Sequence, residues 1–527
     1  MKLPIIVLFF FTFFQVSAQD SVDLIIKNGR ILDGTGNSWY RADIAVRDGR
    51  IVRIGNLHLL KSKRSIDAAG KIVTPGFIDV HTHIEGDELI NPTANNFILD
   101  GVTTVITGNC GASNVDIKKY LQMIDSLKTS VNVASLVGHN DVRRAIMGRA
   151  NRKPTEDEMK RMENLVEAAM QGGAVGLSTG LLYIPGAYSE TDEIVRLAKV
   201  AAKYNGVYAS HMRSEGDSVI RAINEALEIG RQARIPVQIS HFKVSGHHNW
   251  GRSRQTLALV QAAREEGIEV TIDQYPYTAS STSLSTLLPD EILADGNDSI
   301  MARLQRPEVR AYVIDALLKN LKKRKLKHFS YAVVASHRAD STYNGKSIEQ
   351  INLMKGRKHK GKEEALTIID MMLAGGAGMV FHGMSEEDVK RIMQYPFNMF
   401  ASDASIRIYN QGVPHPRGYG TNARVIGNYV RDQKILTLEE AIRRMTSLPA
   451  QKFGLRDRGL IREGFAADIL IFDEKEVQDI SSFEKPHAYS KGFHYVIVNG
   501  QVVVDAGVHN GTRSGMPIFS SGAAKLF

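Results

Sequence analysis

The 527-residue sequence predicts an α/β fold, a (β/α)8 TIM-like barrel with a small, sandwich-like β-sheet domain formed by both chain ends. Eight strand-like apolar runs occur in the middle of the chain, with helical stretches between most of them, and this number of strand–helix units is typical of such a barrel. Short strands with Asn-Gly or Asp-Gly turns dominate both ends instead. Hydrophobic residues make up 43% of the chain, which suffices for a large core.

These patterns predict boundaries for each part of the chain. We expect a signal peptide at 1–18, the small β domain at 19–74 plus 455–510, the barrel at 75–454 with an insertion at about 284–351, and a C-terminal tail at 511–527.

The first residues are typical of a secretory signal peptide. Lys2 precedes residues 3–14, which are apolar apart from Thr12, and small residues lead to Ala18, where cleavage is expected. The apolar stretch is short for a membrane span, and the residue directly after the cleavage point is not a cysteine, which excludes a lipid anchor there. The sequence therefore predicts an exported protein, periplasmic or secreted, without a stable membrane anchor.

The formal net charge of +9 does not indicate a nucleic-acid partner. The basic residues are dispersed, and the run at 319–328 alternates with leucine like the solvated side of a helix. No nucleic-acid-binding motif accompanies it, so no such partner is expected.

The small domain is predicted from hairpin signals at the two ends. Residues 23–27, 42–47 and 50–54 are predicted strands, with turns at Asn28-Gly29 and Asp48-Gly49. Near the C-terminus, residues 467–472, 494–498 and 501–504 repeat the pattern around Asn499-Gly500.

The first predicted barrel strand carries two histidines at its end. Apolar residues at 72–73 and 77–80 predict a buried strand, and His81 and His83 follow it. Residues i and i+2 of an extended chain point the same way, so both imidazoles can reach one metal ion.

Seven more strands complete the predicted barrel: residues 102–107, 131–137, 174–178, 207–210, 237–240, 268–272 and 397–402. One helix between them is well marked, since Thr155 and Glu158 fit a capping box and Gly172-Gly173 ends it. The predicted insertion has its own helix and a strand at 331–335.

Polar residues stand where these strands end. A barrel gathers the carboxyl ends of its strands around one mouth, so nitrogen, sulphur and oxygen donors placed there would form a metal site. The only cysteine, Cys110, cannot form an intramolecular disulfide and belongs to this set. The set is His81, His83, Cys110, His139, His211, His241, Asp273 and Asp403.

Motifs at these positions resemble a known family. The stretch from Pro75 to His83 is similar to the first-strand motif of the amidohydrolase superfamily. Further motifs resemble the N-acyl-D-amino-acid deacylases, or D-aminoacylases, over roughly residues 22–510. They are Gly108-Asn109-Cys110-Gly111, Gly180 to Gly186, Ser240-His241-Phe242-Lys243, Tyr275-Pro276-Tyr277, Ser402-Asp403 and His415-Pro416-Arg417.

The resemblance implies a zinc cofactor and its ligands. Cys110, His211 and His241 would hold the tighter zinc, and a thiolate with two imidazoles leaves a fourth position open, as a catalytic zinc needs. His81, His83 and Asp403 would form a second, weaker site, with Cys110 shared. In this family Cys110 would replace the carboxylated lysine that bridges metals in other relatives, which argues against a hydantoinase or dihydroorotase.

The resemblance also implies the reaction and the substrate contacts. The enzyme would hydrolyse the amide of a small N-acyl-D-amino acid, with Asp403 accepting a proton from water and returning it to the departing amine. Residues matching the family's substrate contacts are Tyr183 near the scissile amide and Lys243, Tyr275, Ser281 and Arg417 at the carboxylate. Arg417 lies a few residues further along than the commonest pattern.

Two other functions are compatible with the sequence. One is a related amidohydrolase acting on N-acyl-D-Glu, N-acyl-D-Asp or D-configured dipeptides. The other is a non-catalytic binding protein on the same fold, although all six metal ligands are present. His139 is interpreted as structural or supporting a ligand, and His248 and His337 as surface or scaffold residues.

Overall fold

The structure is a computed structural model that describes residues 21–520 and Gly522. The predicted signal peptide lies outside these residues, as do most residues beyond 520. None of the helices in the described part of the chain is long and apolar enough to cross a membrane.

Both ends of the chain contribute strands to one nine-stranded sheet. Its order is β21-β20-β19-β18-β5-β1-β2-β3, and β4 pairs with β1. The predicted turns at Asp48-Gly49 and Asn499-Gly500 join β2 to β3 and β19 to β20, with positive φ at all four residues, as tight hairpins require. The strands are β1 (Val22–Ile31), β2 (Tyr40–Arg47), β3 (Arg50–Gly55), β4 (Ser62–Asp67), β5 (Ile72–Pro75), β18 (Ile469–Phe472), β19 (Phe493–Val498), β20 (Gln501–Asp505) and β21 (Val508–His509).

The predicted turn at Asn28-Gly29 is wrong. Strand β1 continues through both residues, and its register with β2 shifts there, as in a bulge. Before the bulge β1 pairs with β4, and after it with β5. A Cβ on Gly29 would lie 2.5 Å from the Val73 side chain, so glycine permits this change of partner.

The middle of the chain forms parallel strands. Six have the order β17-β13-β12-β11-β10-β9, and three have the order β6-β7-β8. Only Leu136 separates β8 from β9, and Thr82, beyond β6, pairs in parallel with Ala404, beyond β17. The strands are β6 (Phe77–Asp79), β7 (Val102–Thr107), β8 (Asn132–Ser135), β9 (Val137–Gly138), β10 (Gly176–Gly180), β11 (Val207–His211), β12 (Val237–Ile239), β13 (Val270–Gln274) and β17 (Asn398–Phe400).

The predicted strand that ends at His81 is divided at Gly76. Strand β5 before it belongs to the nine-stranded sheet, and β6 after it pairs with β7. A Cβ on Gly76 would lie 2.1 Å from the Thr103 hydroxyl oxygen, so only glycine lets the chain pass from one sheet to the other here.

The inserted elements lie between β13 and β17. They include a three-stranded antiparallel sheet, β14 (Ala279–Ser283), β16 (Gly378–His382) and β15 (Ala332–Ser336), in that order. This sheet and its helices have a separate hydrophobic core. The insertion thus extends to β16, past residue 351, because β16 is the central strand of its sheet.

Helices connect most of the parallel strands. The predicted capping box is confirmed: Thr155 and Glu158 cap α5, and Gly172 follows its last turn. The helices are α1 (Asp87–Ile90), α2 (Asn95–Ile98), α3 (Ile117–Leu127), α4 (His139–Met147), α5 (Glu156–Gln171), α6 (Thr191–Ala202), α7 (Val219–Ala233), α8 (Ser253–Glu265), α9 (Asn297–Gln305), α10 (Pro307–Lys323), α11 (Ile348–Met354), α12 (Gly361–Leu373), α13 (Glu386–Met393), α14 (Arg417–Arg424), α15 (Leu438–Met445) and α16 (Ser447–Lys452).

The last described residues pack against the parallel strands. The Val133 N–H donates to the Met516 carbonyl (3.0 Å), and the Ile518 N–H donates to the Val133 carbonyl (2.8 Å). Ile518 joins an apolar cluster with side chains from these strands. Together with α16, which reaches the same cluster, this segment covers one end of the strand set.

Candidate metal centre

Six donor side chains meet beyond the carboxyl ends of the parallel strands. One or two of them follow each of the strands β6, β7, β12 and β17, and one is the last residue of β11. These residues are His81, His83, Cys110, His211, His241 and Asp403. The structure therefore brings together every ligand that the sequence predicted.

The first group of donors is a thiol with two imidazoles. Cys110 Sγ lies 3.5 Å from His211 Nδ1 and 3.7 Å from His241 Nε2. A tetrahedral zinc with ligands at about 2.3 Å for sulphur and 2.0–2.1 Å for nitrogen separates sulphur from nitrogen by roughly 3.5 Å. The His211 Nδ1–His241 Nε2 distance of 2.7 Å is shorter and has to widen around an ion. All three side chains are buried, and this donor set fits zinc.

A second group shares the same thiol. Cys110 Sγ lies 3.3 Å from His81 Nε2, and Asp403 Oδ1 lies 3.6 Å from the same nitrogen. His83 Nε2 is 3.2 Å from Asp403 Oδ1. His83 is 29% exposed, whereas the first three ligands are buried, so the second group is nearer to solvent.

Three of the six donor residues have strained backbone conformations. Cys110, His241 and Asp403 have φ angles of 53°, 34° and 51°, in the left-handed region that non-glycine residues avoid. Such a conformation costs about 1–3 kcal/mol and persists where surrounding contacts fix it. The His241 N–H donates to Asp273 Oδ1 (2.7 Å), and the Asp403 N–H donates to the His81 carbonyl (2.9 Å). These bonds aim the ligands into the centre.

Asp273 contacts two of the predicted ligands, His241 and His81. Besides accepting the His241 N–H, its Oδ1 lies 3.4 Å from His81 Nδ1. Its Oδ2 accepts a hydrogen bond from Gln238 Nε2 at 2.6 Å. A carboxylate at the far nitrogen of a ligand imidazole fixes the orientation and tautomer of the ring.

Glu215 is a site residue that sequence reasoning missed. Its Oε1 lies 2.8 Å from His241 Nδ1 and 2.5 Å from Lys243 Nζ. Burial opposes the charge of Lys243, but Glu215 outweighs it and raises the pKa of Lys243 to about 12. Glu215 lies in a loop four residues after His211, so no periodic pattern marks it. The available signal was the positive charge of Lys243, a predicted site residue, because such a charge calls for an acidic partner nearby.

Ionised forms are favoured at both Cys110 and Asp403. Burial alone would raise the pKa of each, but His81 and His211 hold the pKa of Cys110 well below its usual range. Arg417 and His81 do the same for the pKa of Asp403. Arg417 Nη1 lies 2.8 Å from Asp403 Oδ2.

The centre opens into a cavity of about 390 Å³. All five predicted substrate-binding residues line it: Tyr183, Lys243, Tyr275, Ser281 and Arg417. Two arginines that the sequence analysis did not predict, Arg144 and Arg407, also line it.

Among the described residues, the predicted substrate-binding side chains differ in how far contacts already hold them in place. The Tyr275 hydroxyl is buried without a hydrogen-bond partner, and the Arg417 guanidinium carbon lies 4.5 Å from the centre of the Tyr275 ring. The Tyr183 hydroxyl is 3.1 Å from Thr282 Oγ1. Ser281 Oγ donates to a backbone carbonyl at 2.8 Å. Aromatic faces and a guanidinium thus form one wall of the cavity.

Other histidines lie outside the centre. His139 is buried, and its Nε2 lies 2.8 Å from Glu193 Oε1. His248 pairs with Asp217 at 2.6 Å, and His337 Nδ1 lies 2.9 Å from a backbone carbonyl. Their contacts are consistent with structural roles.

Comparisons of the sequence with known proteins identify its relatives. A sequence profile of the amidohydrolase family matches residues 64–504, and one of the urease alpha-subunit N-terminal domain matches residues 13–72. The chain is 34% identical over 525 residues to a D-aminoacylase of Alcaligenes xylosoxydans xylosoxydans, covering 95% of this chain and 98% of that protein.

Solved structures are similar over nearly the whole chain. One is N-acyl-D-glutamate deacylase from Bordetella bronchiseptica with zinc and a phosphonate inhibitor that mimics the tetrahedral intermediate of the reaction. It has 35% identity and a TM-score of 0.81, and covers 95% of this chain and 100% of its own. Another is a D-aminoacylase whose binuclear metal center shows one-metal activation and second-metal attenuation. It has 33% identity, a TM-score of 0.80 and the same coverage.

Proposed function

Because the chain belongs to the amidohydrolase family and matches N-acyl-D-amino-acid deacylases over almost its full length, we propose that it hydrolyses N-acyl-D-amino acids. The products would be a free D-amino acid and a carboxylic acid. The observation that carries this proposal is the convergence of Cys110, His211 and His241 beside Asp403, at the mouth of a cavity with a buried guanidinium.

Zinc is the proposed cofactor. Cys110, His211 and His241 would hold the tighter ion, and His81, His83 and Asp403, with the shared Cys110, would form a weaker site. When bound, zinc acidifies a water molecule and polarises the amide carbonyl.

Asp403 is the proposed proton carrier. Its ionised carboxylate can accept a proton from the attacking water, and the protonated form can then return that proton to the amine nitrogen as the C–N bond breaks. An amine leaves poorly unless it is protonated, so both transfers are needed. The contact between Asp403 Oδ2 and Arg417 keeps the carboxylate aimed at the cavity.

The cavity wall would bind the substrate carboxylate. Arg417 offers the planar pair of N–H donors that suits a carboxylate, and Lys243, Tyr275 and Ser281 would complete the grip. Tyr183, next to the His211 ring (4.7 Å between centres), would lie near the scissile amide. A requirement for a free α-carboxylate would make this a deacylase rather than an endopeptidase.

One observation favours an acidic side chain on the substrate. Arg144 and Arg407 line the cavity in addition to Arg417 and Lys243. Arg144, Arg417 and Lys243 each have an acidic ion-pair partner. Arg407 Nε is buried without a hydrogen-bond partner among the described residues, so Arg407 is the cation available to a second carboxylate. N-acyl-D-Glu and N-acyl-D-Asp are therefore the second candidate substrates.

We also propose that the nine parallel strands close into a (β/α)8 barrel, in which β8 and β9, separated only by Leu136, count as one strand. The chain continuity from β8 to β9 and the Thr82–Ala404 bridge join the two parallel sheets on both sides. One apolar cluster takes side chains from several of these strands, including Ile78, Ile106 and Ala209, as the interior of a barrel would.

Export to the periplasm or the medium is a further proposal, resting on the apolar segment at 3–14 and the small residues before Gln19. Sequencing the N-terminus of the mature protein tests it. A chain that starts at Gln19 in the periplasmic or secreted fraction would support export, and an intact N-terminus in the cytoplasm would refute it.

Amine release from paired N-acetyl-D- and N-acetyl-L-methionine tests the activity. The assay compares zinc-loaded with chelator-stripped protein and includes N-acetyl-D-glutamate and N-acetyl-D-aspartate. We expect zinc-dependent cleavage of D forms only. Activity that survives complete removal of metal, or equal cleavage of the L form, would contradict the proposal.

A further inference from the structure

Four side chains of types that can bind a metal ion meet in the insertion, away from the metal centre. His328 precedes β15, Glu349 lies in α11, His359 lies in the loop between α11 and α12, and Glu364 lies in α12. We call these four residues the His–Glu cluster. None of the described residues that line the cavity at the metal centre belongs to it.

The donor atoms of the cluster converge. His328 Nδ1 lies 2.6 Å from Glu364 Oε1 and 3.8 Å from Glu349 Oε1, and His359 Nε2 lies 2.5 Å from that same Glu349 oxygen. The four donor atoms lie within 4.8 Å of one another. The two imidazole rings stack with their centres 4.0 Å apart.

Within the described part of the chain, no lysine or arginine forms an ion pair with the carboxylates of the cluster. Within residues 21–520, the ion-pair partners of Glu349 and Glu364 are the two histidines, and a neutral imidazole supplies no charge. Lys355 and Arg357, on the neighbouring loop, contact Asp370 instead. A buried carboxylate is stable only with a compensating charge or full hydrogen bonding, so the cluster is suited to a cation.

Glu364 is positioned as a metal ligand would be. Its side chain is fully buried, and its Oε2 accepts the Phe329 N–H at 2.7 Å. That bond leaves Oε1 facing the cluster. Ligating carboxylates are commonly held in this way by a hydrogen bond to the second oxygen.

We propose that the His–Glu cluster is a structural zinc site, distinct from the catalytic one. Two imidazole nitrogens and two carboxylate oxygens form a closed four-ligand set for a borderline metal such as Zn²⁺. Around a tetrahedral ion such atoms are roughly 3.3–3.6 Å apart. The two short contacts therefore lengthen by about 1 Å and the 3.8 Å contact shortens. These shifts are within the reach of His328, Glu349 and His359, which are all partly exposed.

A metal here would tie together four segments of the insertion. It would link the chain before β15 to α11, α12 and the loop between these helices. Residues at the end of α12, including Met372 and Ala374, line a cavity next to Tyr183. The site would thus stabilise a part of the insertion that lines a cavity adjoining the substrate cavity, since Tyr183 lines both cavities.

Zinc content of the full-length protein tests the proposal. The wild type, His359→Ala and Glu349→Gln would be loaded with ZnCl2, freed of loose metal by gel filtration, and analysed by mass spectrometry. His494→Ala is the matched control, because His494 pairs with Glu476 at 2.8 Å on the surface and the described residues offer this pair no third ligand. We expect both cluster variants, and not the control, to lose about one zinc per chain. Activity should persist, because neither side chain touches the metal centre.

Anomalous diffraction at the zinc edge gives a second readout that does not depend on variants. A peak between His328, Glu349, His359 and Glu364 in wild-type crystals is expected. Equal zinc content in the wild type and both cluster variants, or no peak at the cluster beside a clear one at Cys110, would overturn the proposal. The four side chains would then form only a hydrogen-bonded network.

Discussion

The contribution of Arg417 to substrate binding can be isolated with Arg417→Lys. The lysine keeps a positive charge beside Asp403, so the charge that stabilises that carboxylate is retained, whereas the planar pair of N–H donors is lost. One charge-assisted hydrogen bond is worth about 1.5–3 kcal/mol. Losing one to the substrate carboxylate should therefore lower kcat/KM by about 10- to 150-fold.

The assay compares N-acetyl-D-methionine with N-acetyl-D-methioninamide, which lacks the carboxylate. We expect the variant to lose activity on the acid and to change little on the amide, so that the discrimination between them falls. Arg424→Lys is the matched control: Arg424 also lies in α14 and over a tyrosine ring (Tyr277, 4.9 Å), but pairs with Asp479 outside the cavity. An equal loss on both substrates would refute the reasoning, because Arg417 would then act only through Asp403.

Three further variants test the catalytic centre and the pH dependence of stability. Asp403→Asn should lower kcat by about 10²- to 10⁴-fold while the tightly held zinc remains, and an unchanged kcat would exclude Asp403 as the proton carrier. Cys110→Ala should abolish zinc retention at the metal centre and leave only the zinc of the His–Glu cluster, measured as metal per chain after gel filtration, because the thiol belongs to both ligand groups; full retention would contradict its role. Burial, with a smaller effect from Glu85, raises the pKa of Glu88 from 4.5 to about 7. The folded state then binds more protons than the unfolded state between these values, so the free energy of unfolding should fall as pH rises through that window. Urea denaturation across the window should show a smaller fall for Glu88→Gln than for the wild type or the exposed-site control Glu308→Gln, and identical slopes would contradict this.

Local signals predicted the elements whose geometry is set by neighbouring residues. Asp48-Gly49 and Asn499-Gly500 form hairpins, and Thr155 with Glu158 caps a helix, because each depends on contacts within a few residues. Asn28-Gly29 has the same sequence signal but forms a bulge. The competing influence there is non-local, since β1 exchanges β4 for β5 at that point and Val73 packs against Gly29.

The predicted ligands illustrate the same division. Their positions after apolar runs, together with the rule that parallel strands end on one side, gave a set of eight residues that included His139 and Asp273. The family resemblance then selected six of them as metal ligands: His81, His83, Cys110, His211, His241 and Asp403. Glu215, which lies in a loop, could not be found in this way, because its contact with Lys243 depends on how two loops approach each other.

The sequence by itself determined the donor types, the strand ends that carry them and the resemblance to a deacylase family, because each is encoded within a short stretch of chain. Only the tertiary structure decided that Cys110 is within reach of both ligand groups and that Arg417 contacts Asp403. It also brought His328, Glu349, His359 and Glu364 together in the insertion. Each of these contacts depends on the packing of separate elements, and distances between side chains from separate elements are not specified by spacing along the chain.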